Sequence, residues 1–196
     1  MTRVLFITAN PKPIEQSISL SLGTHAVRHY KKLNPNHEVD TLDLAEVEWP
    51  HLNAEHLRNY LNPNDVCVRE AQKFKLYDKY IVVAPMWNLT IPSVLKAYLD
   101  TIIIPNIMFR YNDQGRPEGL CGGKMMYIGA RGGDYSQGLQ AKFAFDDQYM
   151  RGICNMIGIH DYQSYVVNGV GGYRRHSVTD LFEMNKMDVE SMITAF

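Results

Sequence analysis

Short apolar runs alternate with longer amphipathic stretches along the whole chain of 196 residues. Most of the short runs are rich in β-branched residues, which is typical of strands in a buried parallel sheet. Strands are predicted at 4–7, 38–44, 80–84, 124–129 and 162–167. Apolar positions at helical spacing predict helices at 17–32, 66–77, 93–104, 139–157 and 179–196. This alternation indicates an α/β fold, a doubly wound five-stranded parallel sheet with helices on both faces.

Turn and cap residues mark the ends of several elements. Gly158 is placed to stop the fifth helix, and Thr179 with Asp180 is placed to cap the last one. Residues 45–65 contain two prolines and several asparagines, so we expect an irregular segment with one short helix. No linker, repeat or low-complexity tract interrupts the pattern, and we expect residues 1–196 to form a single domain.

Charge and composition exclude several classes of partner. The formal net charge is −1, with 45% hydrophobic and 21% charged residues. This balance is ordinary for a globular protein and offers no basic surface for nucleic acid or an anionic membrane. Pro105 interrupts the run at 102–104, and neither a spanning segment nor a signal-peptide core occurs. We therefore expect a soluble, cytoplasmic protein with no nucleic-acid or membrane partner.

Histidines and cysteines follow no catalytic or metal-binding pattern. Cys67, Cys121 and Cys154 are widely spaced, so disulfides and structural zinc are not expected, and Cys121 is expected to be a structural loop thiol. His25 and His29 are four residues apart on the first helix, but without a third ligand we expect them on a solvated face. A Gly-x-Ser-x-Gly nucleophile elbow is also missing from the sequence.

The segment Ala-Pro-Met-Trp-Asn-Leu-Thr-Ile-Pro at 84–92 directly follows the predicted third strand. In open α/β sheets, ligands bind in the crevice outside the carboxyl ends of the strands. The Met-Trp-Asn tip offers apolar surface to a flat ring system and amide groups to the polar edge of such a ring. Pro92 stands where the next helix can begin. A well-packed strand–helix turn without a ligand would explain the segment equally well by itself.

The turn at 8–17 leads into the N-terminus of the first helix. Backbone N–H groups there are unpaired and the helix dipole is positive, so an anion is stabilised without a lysine. Asn10, Gln16, Ser17 and Ser19 add side-chain donors. The sequence lacks both the Gly-Lys-Ser/Thr of triphosphate loops and the Gly-x-Gly-x-x-Gly of dinucleotide loops. A single phosphate monoester is therefore predicted, with an N-capped surface helix as the alternative.

The third turn, Gly-Ala-Arg-Gly-Gly at 129–133, follows the predicted fourth strand. Glycines let backbone amides approach a ligand closely, and consecutive N–H groups can form a nest for an electron-rich edge. The Arg131 side chain is expected in solvent, as for most lone arginines. The turns at 8–17, 85–91 and 129–135 are predicted to converge on one end of the sheet, and this convergence is more specific than any single turn.

With these motifs the sequence resembles the FMN-dependent NADH:azo/quinone oxidoreductases, a branch of the flavodoxin-like fold. The resemblance covers almost the whole chain. It is strongest in Pro-Met-Trp-Asn-Leu-Thr-Ile-Pro at 85–92 and Ala-Arg-Gly-Gly at 130–133, with Phe-Arg-Tyr at 109–111 in the family's order. It implies FMN as cofactor and a homodimer with two flavin sites at the interface.

The resemblance also implies FMN contacts in all three turns. The phosphate contacts fall on Asn10, Glu15 (through its main chain), Gln16 and Ser17. The contacts along the isoalloxazine ring fall on Met86, Trp87, Asn88 and Leu89. The contacts at its pyrimidine edge fall on Ala130, Arg131, Gly132 and Gly133. The implied substrate pocket contains Tyr111, supplied by the partner subunit, and Met156, which stands where relatives often have an aromatic residue.

The implied activity is transfer of a hydride from NADH or NADPH to FMN and then to a quinone or azo compound, with no catalytic side chain assigned. The alternative is a flavodoxin-type carrier of single electrons. Such a carrier typically displays a strongly acidic docking face, and the net charge of −1 argues against it. Neither the physiological acceptor nor the choice between NADH and NADPH follows from the sequence.

Overall fold

The computed structural model describes residues 1–171 and 176–196. Its strands are β1 Arg3–Thr8, β2 Glu38–Asp43, β3 Lys79–Pro85, β4 Phe109–Tyr111, β5 Pro117–Gly119, β6 Lys124–Ala130 and β7 Asp161–Val167. Five of them form a parallel sheet in the order β2-β1-β3-β6-β7, which confirms the predicted flavodoxin-like sheet. The remaining two, β4 and β5, form an antiparallel hairpin.

Helices cover both faces of the sheet. They are α1 Ile18–Leu33, α2 Ala54–Arg58, α3 Val66–Phe74, α4 Ser93–Ile102, α5 Phe145–Ile157 and α6 Val178–Ala195. Successive residues of β1 serve two separate cores: Leu5 and Ile7 pack with α3, α4 and α5, whereas Val4 and Phe6 pack with α1 and α6. Both faces of the central strands are therefore buried, which explains their continuous apolar sequence.

The N-terminal half of α1 lies unusually close to the sheet. Gly23 makes this approach feasible, because a Cβ atom there would clash with the side chain of Val83 on β3. The close contact fixes the start of α1 beside the carboxyl ends of β1 and β3.

Several predicted helix boundaries are wrong; the helices predicted at 66–77 and 93–104, for example, end at Phe74 and Ile102. The stretch 139–157 is not one helix, because a 3-10 turn at Gln140–Phe143 ends at Ala144 and α5 begins only at Phe145. The Phe145 N–H donates to the Leu89 carbonyl at 3.1 Å rather than to a helical carbonyl, so α5 cannot extend upstream. The last helix is capped by Ser177, in a capping box with Asp180, and not by Thr179 and Asp180.

Other predicted turns are confirmed. Gly158, with φ of 94°, ends α5 in the left-handed conformation that favours glycine. The irregular segment 45–65 contains the short helix α2. The sequence after β7 is rich in glycine at 169–172, and Gly172 lies outside the described residues.

The two histidines of α1 do not face solvent as expected. His25 lies 2.7 Å from Glu190 and His29 lies 3.2 Å from Thr194, so both ring systems contact α6. No group of three His, Cys, Asp or Glu side chains suited to a metal ion occurs within residues 1–171 and 176–196. Burial raises the pKa of Cys121 to about 11, which keeps this thiol protonated and unreactive, as a structural thiol should be.

A helix that crosses a bilayer needs about 20 predominantly apolar residues. No helix within residues 1–171 and 176–196 has both the length and the hydropathy of such a span.

Candidate functional site

A cavity of about 290 Å³ opens at the carboxyl edge of the sheet, beside β1, β3 and β6. Residues from all three predicted turns line it, within the ranges 10–19, 85–87 and 130–132. The predicted convergence of the three turns is therefore confirmed. The cavity lies at the point where α1 and the connections after β3 and β6 begin, which is the switch point of a doubly wound sheet.

The first turn is organised around the buried carboxamide of Asn10. Its Nδ2 donates to the Ser17 Oγ at 2.7 Å, and its Oδ1 accepts the Lys12 N–H at 3.2 Å. Ser17 also caps α1, because its Oγ accepts the Leu20 N–H at 3.2 Å, and the Ser19 hydroxyl lies 3.2 Å away. This network fixes two buried hydroxyls at the start of α1, beside the cavity.

In this turn, the backbone N–H groups that have no hydrogen-bond partner belong to residues that follow the assigned phosphate contacts in the chain. The N–H groups of Gln16 and Ser17 donate to Pro13 and Ile14 in a 3-10 turn. Within the part of the chain that the structure describes, the N–H groups of Ile18 and Ser19 have no partner. The first-turn donors available to an anion are therefore these two groups, at the positive end of the helix dipole.

Two charged residues are not placed as expected. Glu15 does not line the cavity; it lies in a neighbouring groove between α1 and α6, with His25 and Arg28. Lys12 does line the cavity, although an anion site without lysine was expected. Asn10, Gln16 and Ser17 line it as assigned. The electrostatic balance is thus more favourable to a phosphate than the sequence indicated.

The turn after β3 places its side chains at the rim. Trp87 and Thr90 exchange backbone hydrogen bonds of 2.9 and 3.1 Å around Asn88 and Leu89, whose φ values are 48° and 72°. This is a type I′ turn, in which both central residues take positive φ. Met86 and Trp87 line the cavity, whereas Asn88 and Leu89 are not among its lining residues, and their assigned contacts with the flavin ring stay predictions.

Leu89 is under backbone strain, because a leucine in the left-handed region costs about 1–2 kcal/mol. We expect Leu89→Gly to raise the free energy of unfolding by up to about 1 kcal/mol, since glycine removes the strain but loses more chain entropy. The same change should weaken FMN binding, because the exposed apolar side chain at the rim is lost. Urea unfolding and FMN titration measure the two effects.

The matched control is Leu89→Ala, which removes the same side chain but keeps the Cβ atom. It should weaken FMN binding without raising stability. A glycine variant less stable than the alanine variant would show that the positive φ of Leu89 imposes no strain, because only the entropy cost of glycine would then remain.

The turn after β6 differs from expectation at Arg131, whose side chain is buried and not in solvent. Only 6% of Arg131 is exposed, and it forms an ion pair of 2.9 Å with Asp146, which is fully buried in the first turn of α5. Asp146 also accepts a bond from Tyr127, and burial raises the pKa of Tyr127 well above its usual value, so this phenol remains a donor. The Arg131 guanidinium therefore anchors the turn through Asp146, and its assigned contact with FMN stays a prediction.

The donors of this turn are instead the two glycine amides. The carbonyls of Gly132 and Gly133 accept the N–H groups of Gly171 and Gly169 at 2.9 and 3.0 Å. Within the described chain, the N–H groups of Gly132 and Gly133 have no partner. A Cβ atom built on Gly132 would meet no atom within 4 Å, so the space beside this glycine is open to a ligand.

Sequence reasoning missed the segment after β7. Val170, Gly171 and His176 line the cavity, together with Val178 and Leu181 at the start of α6. The sequence signal for this segment was its run of glycines from residue 169. Glycine suits position 171 because a Cβ atom there would stand only 3.3 Å from the Gly132 backbone. Together these residues form a further part of the cavity wall.

The two residues assigned to the substrate pocket lie outside the cavity. Tyr111 is 64% exposed on the β4–β5 hairpin, where Gly115, with φ of 71°, forms part of the turn. Met156 is half-buried on α5, against the core that contains Leu5 and Ile7. Their roles remain predictions.

The residues present fit FMN. Free N–H groups and buried hydroxyls meet at one end of the cavity, as a phosphate requires, and Met86 and Trp87 offer a flat apolar surface beside two free glycine amides. Together with the β2-β1-β3-β6-β7 sheet, these features define a flavodoxin-like flavin-binding protein.

Comparison with known proteins agrees with this class. The family model described as "Flavodoxin-like fold" matches residues 2–184, and the chain belongs to this family. It is 61% identical to FMN-dependent NADH:quinone oxidoreductase 2 of Photobacterium profundum, over 99% of this chain and 100% of that one. It is 35% identical to FMN-dependent NADH:quinone oxidoreductase 3 of Halalkalibacterium halodurans, over 86% and 88%.

A solved structure shares the whole fold. An FMN-dependent NADH-azoreductase from Bacillus anthracis, in complex with FMN, superimposes with a TM-score of 0.86 at 26% identity. The superposition covers 100% of this chain and 99% of that one.

Proposed function

We propose that this protein is an FMN-dependent oxidoreductase that takes a hydride from NADH and reduces quinones or azo compounds in the cytoplasm. The observation that best supports the proposal is the meeting of an anion-binding helix start, an apolar turn and the free amide of Gly132 around one cavity. The relatives named as NADH:quinone oxidoreductases give independent support. The three cysteines, none of which is paired, are consistent with a reducing compartment.

The protein's own residues would bind and orient the flavin. The N–H groups of Ile18 and Ser19, with the Ser17 hydroxyl, are available to the phosphate, and Lys12 adds a positive charge. The amides of Gly132 and Gly133 are available to the pyrimidine edge, where donors stabilise negative charge. Bound FMN supplies the redox chemistry, accepting a hydride and returning it to the acceptor. Positioning the two reactants is then the protein's main contribution to rate.

A homodimer forms part of the proposal. Several large apolar side chains are exposed in the turn after β3, in the β4–β5 hairpin and up to the start of α5, a pattern typical of an interaction surface: Trp87, Leu89, Tyr111, Leu139, Phe143 and Phe145. Phe145 is bonded through its backbone to Leu89, so part of this surface is continuous with the turn assigned to the flavin ring. A partner subunit seated there would cover the ring and complete the substrate pocket.

Anaerobic reduction tests the proposed enzyme against a single-electron carrier. FMN-loaded protein mixed with NADH should lose its visible flavin absorbance rapidly, and a quinone or an azo dye should restore it over many turnovers. Sedimentation equilibrium of the same sample should give twice the mass of one chain. Inertness towards NADH, with reduction only by a separate reductase, would instead establish the carrier.

A further inference from the structure

A second cavity, of about 450 Å³, lies beside the first and shares Asn10 and Lys12 with it. Its floor is the face of β1 and β2 that points towards α1. In the parallel register Thr8 pairs with Asp43, so these two side chains lie on the same face at the carboxyl ends of the strands. Nothing in the proposed flavin site accounts for this second cavity.

The floor contains an unsatisfied polar group. Thr8 is 5% exposed, and its Oγ1 has no hydrogen-bond partner within the described residues. Burying a hydroxyl without a partner is unfavourable, and buried polar groups in proteins are almost always paired. Because Thr8 is one of the residues that line this cavity, we expect a ligand group that enters it to satisfy the buried hydroxyl.

The remaining lining defines the chemistry of that ligand. Asp43 and Glu46 provide carboxylates at the end of β2, and Lys12 provides a cation on the side of the flavin cavity. In sheets that bind dinucleotides, a carboxylate at this position accepts hydrogen bonds from the hydroxyls of a ribose. Phe6 and Leu20, with neighbouring prolines, add apolar surface suited to a planar base.

We propose that this second cavity binds the adenosine half of the nicotinamide dinucleotide, with the ribose hydroxyls at Asp43 and Thr8 and the pyrophosphate towards Lys12. The inference rests on the proposed function, because it supplies the site for that reaction's electron donor. The carboxylates of Asp43 and Glu46 would repel a 2′-phosphate. The site therefore selects NADH over NADPH, a choice that the sequence left open.

ADP-ribose tests the site without any redox step, because it carries the adenosine and the pyrophosphate but no nicotinamide. Calorimetry should detect its binding to the FMN-loaded protein, and Asp43→Asn should weaken that binding by about tenfold, as expected for the loss of a charged hydrogen-bond acceptor. In the native protein the Asp43 carboxylate accepts the Ala45 N–H at 3.0 Å. The side-chain oxygen of asparagine can accept the same N–H, so the local turn is preserved.

The variant Thr8→Val tests whether the unpaired Thr8 hydroxyl belongs to a ligand site or is only a defect in packing. The variant should raise Tm, because it removes a buried unsatisfied hydroxyl, and should weaken ADP-ribose binding several-fold. Asp113→Ala, an exposed carboxylate on the β4–β5 turn, is the matched control and should change neither property. Unchanged ADP-ribose binding in both Thr8→Val and Asp43→Asn would overturn the proposal. It would indicate that water, rather than a ligand, pairs with the Thr8 hydroxyl.

Steady-state kinetics with different electron donors provide a second test of the nucleotide site. Asp43→Asn should raise KM for NADH about tenfold, lower the preference for NADH over NADPH, and leave the rate with reduced nicotinamide mononucleotide unchanged, because that donor lacks adenosine. Equal effects on NADH and on the mononucleotide would overturn the proposal. Binding of ADP-ribose by a protein that NADH does not reduce would contradict the proposed function while supporting the nucleotide site.

Discussion

Replacing Gly132 by leucine is expected to abolish FMN binding while the protein remains folded. A Cβ atom at this position meets nothing within 4 Å, so a side chain is accommodated by the protein itself. Gly132 lines the cavity, however, and its free N–H is one of the two donors assigned to the pyrimidine edge. A leucine side chain would occupy the ligand's space, and a loss on the order of 100-fold in affinity is expected. FMN fluorescence titration measures it.

Gly152→Leu is the matched control. Gly152 lies on the exposed face of α5, and a Cβ atom there also meets no neighbouring atom. Leucine favours helix formation more than glycine does, so this variant should bind FMN normally and unfold at a slightly higher urea concentration. Normal FMN affinity in Gly132→Leu would show that the flavin does not occupy this part of the cavity.

Asp146→Ala should have the largest effect on stability of any substitution considered. It leaves the guanidinium of Arg131 buried without its partner, and breaking a buried pair in this way costs about 3–5 kcal/mol. The variant should unfold at a markedly lower urea concentration. Because Arg131 holds the turn that positions Gly132, FMN binding should weaken as well.

The double variant Arg131→Met with Asp146→Leu distinguishes the loss of a charge pair from the loss of packing. Replacing both charged groups by apolar ones leaves no buried charge unpaired, and such replacements are often neutral or stabilising. Much of the stability lost in Asp146→Ala should therefore return. If the double variant were as unstable as the single one, the shape of the pair rather than its charge would support the turn.

The sheet and the meeting of the three turns were accessible from the sequence because they depend on local patterns. Continuous apolar runs identify central strands, and Pro92 directly precedes the first residue of α4. The parallel order then brings the turns together, because the carboxyl ends of parallel strands share one edge. A resemblance that spans nearly the whole chain added the identity of the ligand.

Features that depend on distant partners were not accessible. Arg131 was expected in solvent because nothing near it in sequence suggests a partner, yet Asp146 reaches it from the first turn of α5. His25 was misplaced for the same reason, since Glu190 belongs to a helix 165 positions away in the chain. The isolated hydroxyl of Thr8 likewise depends on what β2 and α1 place around it.

The backbone bonds between Gly132 and Gly171, and between Gly133 and Gly169, have a consequence for divergence within the family. They hold the turn whose free Gly132 N–H stands beside the cavity, so the donor assigned to the flavin is a backbone N–H, which every residue type except proline possesses. Side chains around it can change over long evolutionary times, provided that no bulk is introduced at Gly132.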